Sequence, residues 1–130
     1  MTTIRTIDID WRELAALLVK QSRAGSRQRA AVTVLGATQT WVHHAELVTV
    51  TEQPFGDPAV TVNWDLAPYA LQQSGESPHD LYLLALAYHL ATSHTTSEFT
   101  LGDIDRLFPT TAQIVIAALA ELAGVNSLCQ

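Results

Sequence analysis

The chain has 130 residues, 48% of them hydrophobic and 15% charged, with a formal net charge of −6. At this length roughly two thirds of the unfolded surface is buried on folding, so neither disulfides nor a structural metal are needed for stability. The lone Cys129 excludes an internal bridge and fits a reducing, intracellular setting.

"MTTIRTIDIDWRE" has no apolar stretch after a basic start, and the apolar run Leu81 to Ala91 is too short for a bilayer and contains His89. The expectation is a cytoplasmic protein without a membrane partner. Charge content below the roughly 25% of a typical soluble domain points to apolar surface reserved for another chain.

In chain order, Asp10-Trp11-Arg12-Glu13 is a capping box, and Trp11, Leu14, Ala15 and Leu18 repeat at helical spacing up to the stop at Gly25. A helix over Trp11 to Ala24 follows, with "TIDI" before it as a short edge strand. "AAVTVL", "TWVHHAELVTVTE" and "AVTVNW" are rich in Val and Thr, as strands are. "GAT" and "QPFGDP" supply turns, which makes three antiparallel strands in a meander. "DLAPYALQQ" reads as one or two helical turns.

"SGESP", Ser74 to Pro78, is the one linker, dividing a helix-plus-meander subdomain (1–75) from a helical subdomain (76–130). Ser77-Pro78-His79-Asp80 opens a helix to about Ser93. Thr100-Leu101-Gly102-Asp103 opens a short helix ending before Pro109. Thr110 or Thr111 caps a last helix through Ala123, stopped by Gly124. The predicted fold class is α+β: an N-terminal helix on a three-stranded antiparallel sheet, followed by a three-helix C-terminal unit.

Charge is unevenly placed. Residues 1–29 carry six of the seven basic residues and a net +3, whereas residues 30–130 carry Arg106 alone against ten acids. "KQSRAGSRQR" concentrates Lys20, Arg23, Arg27 and Arg29 in ten residues. Three readings remain open for these four: a solvated helix end favoured by the macrodipole, a contact for an acidic protein surface or phosphate, or a grip on nucleic acid. The absence of an aromatic residue weighs against the last.

No catalytic or metal motif is legible. On a strand His43 and His44 point to opposite faces, His44 and Glu46 lack a third ligand, and His89 and His94 miss helical i, i+4 spacing. No G-x-S-x-G, Walker-type or G-x-G-x-x-G sequence occurs. Asp8/Asp10 and Asp103/Asp105 sit at helix entrances, where they favour the dipole. No cofactor is expected.

"HDLYLLALAYHLATSHTTSEFTLGDIDRLFPTTAQIVIAALAELAG", residues 79–124, resembles the three-helix core of helix-turn-helix and winged-helix domains, with "TLGDIDRLF" as second helix, "PTT" as turn and "AQIVIAALAELAG" as third. The resemblance implies DNA binding through that third helix. Thr111–Ala123 departs from this, with no Lys or Arg, Glu121 as its only charge and Gln113 as its only base-reading side chain.

The helix from His79 to Ser93 has no charge between Leu81 and Ala91, so it must be covered on every side, by this chain or partly by another. With the alanine-rich helix Ile114–Ala123, it suggests an apolar interface that includes Leu83 and Leu90. The expected function is a non-catalytic protein-binding or assembly subunit, self-associating or part of a larger complex, presenting apolar and acidic surface. The partner-binding candidates are Lys20, Arg23, Arg27, Arg29, Leu83 and Leu90, with nucleic acid disfavoured. A DNA-binding transcription regulator is the alternative, and an enzyme without a legible site the third.

Overall fold

The computed structural model describes residues 3–4, 8–44, 46–73, 75–94 and 107–124, with backbone only for Thr3 and Ile4. Helix α1 (Trp11–Lys20) starts where Asp10 caps it, its carboxylate accepting from the Arg12 N–H at 3.2 Å, and buries Leu14, Leu17 and Leu18. It stops four residues before the predicted end. The Ser22 hydroxyl donates to the Leu18 carbonyl, and the Gln21 amide is diverted to the sheet, donating to Pro58 O at 2.8 Å and accepting from Val60 N at 3.0 Å.

The expected three-stranded meander does not form: its first strand is a helix. Gly25, at φ +74, turns the chain. The Ser26 hydroxyl then accepts from Arg29 N at 3.0 Å and starts α2 (Arg27–Leu35). Ala30, Ala31, Val34 and Leu35 fall at helical spacing and are buried with Val32. The strand preference of "VTV" reflects packing on a pleated surface and yields where a helix packs better.

A one-turn helix α3 (Gln39–Val42) follows and buries Trp41 and Val42. Only two segments of the predicted meander are strands, β2 (Val48–Thr51) and β3 (Ala59–Val62), antiparallel with Val48 opposite Val62 and Thr51 opposite Ala59. A two-residue backbone pairing, β1 (Thr3–Ile4), edges β2 with Thr3 opposite Thr51. The edge predicted at "TIDI" falls partly outside the described residues, and its last two residues, Asp8 and Ile9, are not in a strand. Val48 and Val50 face the core while Thr49 faces water.

A 3-10 turn (Trp64–Leu66) leads into α4 (Ala67–Gln73). Helix α5 (Pro78–Thr92) has the cap expected of it, with Ser77 Oγ accepting from Asp80 N at 3.3 Å and Ser93 closing it at φ 68. Helix α6 (Pro109–Ala123) starts two or three residues earlier than predicted, with Phe108 and not a threonine at the cap, and ends at Gly124 in the left-handed region. The short helix expected from Thr100 lies mostly outside the described residues. The protein is α+β but mostly helical, with six α-helices among the described residues where four were expected.

Helix α5 is the centre. His79, Tyr82, Leu83, Leu84, Ala85, Leu86, Ala87 and Leu90 are all buried, covering its whole circumference. Helix α2 packs along it, and α4 and the 3-10 turn close another side. Helix α2 is in turn flanked by α1 and α6. One hydrophobic cluster therefore joins residues on both sides of the 74–77 connection. Among the described residues, no helix is long and apolar enough to cross a membrane.

Gly36 sets how closely α1 and α2 approach, because a Cβ there would lie 2.8 Å from the Ala15 Cβ. Gly36→Ala is expected to destabilise the fold by about 1–3 kcal/mol, the usual cost of overpacking. Adding Ala15→Gly should recover part of that loss, giving a favourable coupling in urea denaturation. Additive losses would contradict the contact.

Candidate interaction surface

Most of the basic stretch holds the protein's own structure. Lys20 Nζ donates to Asp57 Oδ2 at 2.7 Å, tying α1 to the loop between β2 and β3. The hydrogen bond to Asp57, then its charge, raise the Lys20 pKa above its ordinary value. Both side chains are exposed, so the pair is a tether and contributes little stability. Arg27 caps α5: its Nε donates to Leu90 O at 2.9 Å and its Nη2 to His89 O at 3.2 Å, two carbonyls at the negative end of that helix. Arg29 Nε stands 3.3 Å from Glu121 Oε1 and joins α2 to α6 by charge. Arg23 is exposed.

Leu83 and Leu90 belong to the core, 0% and 7% exposed. Neither is accessible on the single chain, because α2 and α4 supply the cover that the sequence left open.

His43 and His44 lie at the end of a helical turn and not on a strand. His43 Nε2 pairs with Ile9 O at 2.8 Å and its Nδ1 with Gln39 Nε2 at 3.3 Å. His79 and Asp80 form a tighter group at the start of α5. Asp80 Oδ1 lies 2.9 Å from His79 Nδ1, its Oδ2 accepts from Thr40 Oγ1 at 2.9 Å, and its carbonyl accepts from Trp41 Nε1 at 2.7 Å. The His79 ring stacks on Phe108 at 4.3 Å between centroids. These bonds join α3 to α5. The His79 ring is nearly buried, and its Nε2 makes no hydrogen bond. No cluster of three His, Cys, Asp or Glu among the described residues converges to hold a metal ion.

The exposed apolar side chains lie elsewhere. On α6, Val115 and Ala118 face inward, while Ile114, Ile116 and Ala117 face outward; Ile116 is 57% exposed and the neighbouring Phe108 63%. Glu121, the one charge on that helix, is engaged by Arg29. At the tip between β2 and β3, Phe55 is 93% exposed. The sequence marks Ile114–Ala123 as part of an apolar surface and "QPFGDP" as a turn. An aromatic residue between Pro54 and Gly56 was the available signal, since turn formation alone does not call for it.

No protein-family model matches the sequence, and neither a curated protein nor a solved structure matches it significantly.

Arg27→Ala is expected to lower stability by about 1–2 kcal/mol, through two lost hydrogen bonds to helix-end carbonyls. Arg23→Ala should leave the urea midpoint unchanged. Equal midpoints for the two variants would contradict the division of the basic stretch into structural and free members.

Proposed function

We propose that the protein is a non-catalytic, self-assembling subunit of the cytoplasm whose contact is the outer face of α6. The supporting observation is the exposure of three apolar side chains, Ile114, Ile116 and Ala117, across the outer half of α6, with the Phe108 ring exposed at the start of the helix. An apolar strip on a helix that is otherwise well packed on its inner side suits helix-to-helix contact, and Ala117 and the half-buried Ala120 permit close approach. A two-fold arrangement sets this face against itself, the commonest closed geometry for identical chains.

Duplex DNA is the poorer partner for the same helix. Its outer face offers Gln113 but no cation, and phosphate neutralisation supplies most non-specific affinity for DNA. The apolar face is the reading that uses what α6 presents.

Ile116→Asp places a carboxylate in that strip at an already exposed position, so folding should change by no more than about 0.5 kcal/mol. The expected result is a clear fall in assembly mass by light scattering at unchanged helicity. Wild-type mass in this variant would contradict an α6 interface.

A further inference from the structure

Among the described residues the strand order is β1-β2-β3, which leaves β3 as one edge of the sheet. The Asn63 N–H donates to the Leu47 carbonyl at 2.8 Å, and Thr61 lies opposite Thr49. In an antiparallel ladder this turns the backbone groups of Ala59, Thr61 and Asn63 towards β2. Those of Val60 and Val62 point away from it, as does the Pro58 carbonyl. Sheet edges are commonly protected by charged side chains against pairing with another chain. Ala59–Val62 carries no charge.

The outward groups are self-complementary. Two copies of β3 set antiparallel about a two-fold axis at Val60 place each Val60 N–H against the other Val60 carbonyl. Each Val62 N–H then meets the other Pro58 carbonyl. Pro58 has no N–H to donate, so the pairing closes at about four hydrogen bonds.

Each of those bonds needs a group that Gln21 already holds. Its Oε1 accepts from the Val60 N–H at 3.0 Å, and its Nε2 donates to the Pro58 carbonyl at 2.8 Å. The Val60 N–H enters two of the bonds and the Pro58 carbonyl the other two. Gln21 is the C-cap residue of α1, so the helix end fixes the stem from which its amide reaches the edge.

We propose that Gln21 closes the β3 edge against strand pairing with a second copy of this chain. The contact inhibits a sheet-to-sheet association that the backbone of β3 would otherwise support. An edge left open is a template for aggregation, and Gln21 reserves self-association for other faces of the molecule. The inference does not depend on the α6 contact.

The test is sedimentation equilibrium on the full chain carrying Ile116→Asp, so that an α6 contact does not contribute. Adding Gln21→Ala should tighten self-association at least about tenfold, the scale of a few net hydrogen bonds. The Val62 amide, which faces away from β2, should become protected from hydrogen exchange as the mass rises. Gln21→Asn keeps the amide but falls one methylene short of the edge, and should act in the same way. Gln21 is exposed, so both variants should keep the parent's helicity. Adding Val62→Pro removes an N–H that β2 does not use, at an edge where proline is tolerated, and should reverse the gain.

Unchanged association in folded Gln21→Ala and Gln21→Asn chains would overturn the proposal, as would a gain that survives Val62→Pro. If Ile116→Asp alone keeps the wild-type mass, the α6 reading fails, and the comparison of Gln21→Ala with its own parent still decides the role of Gln21.

Discussion

The fold depends on covering α5. A helix with no charge from Leu81 to Ala91 has no side it can give to water, so the remaining elements are arranged around its circumference. Helix α2 supplies the largest share of that cover, which requires Ala30, Ala31, Val34 and Leu35 to be buried together. Arg27, one turn earlier, completes the end of α5 by taking two of its last carbonyls. At the opposite end, the Trp41 indole and the Thr40 hydroxyl both bind Asp80 and fix α3 there. Packing and hydrogen bonding thus specify the same arrangement at both ends of one helix.

This constraint explains which parts of the fold were legible. Helix ends are local chemistry, and Asp10, Ser77-Pro78 and Gly124 mark them as read from the sequence. The three "VTV" triplets are identical in sequence and differ in outcome. Val48–Val50 and Val60–Val62 lie in strands, whereas Val32–Val34 is helical because Ser26 caps the segment and α5 demands a helical apolar face opposite it. Nothing within the triplet distinguishes the cases. The deciding contact is with residues some fifty positions away, which composition and local period do not encode.

The candidate surface was legible in part for the same reason. The apolar character of both C-terminal helices was plain, but which of them remains uncovered depends on α2 being a helix. With α2 in place, Leu83 and Leu90 are interior, and the exposed strip moves to Ile114 and Ile116. The basic stretch was likewise divided by tertiary partners: Arg27 and Arg29 serve neighbouring helices, Lys20 holds the hairpin tip, and Arg23 faces water.

What unites these features is a small chain that buries most of one long apolar helix and leaves short apolar strips at its periphery. Such strips are the ordinary means by which identical chains associate. The most direct measurement is the mass of the unmodified chain by sedimentation equilibrium over a concentration series. Self-assembly requires a mass above that of one chain already at micromolar concentration, rising further with concentration. The mass of a single chain throughout the series would contradict it.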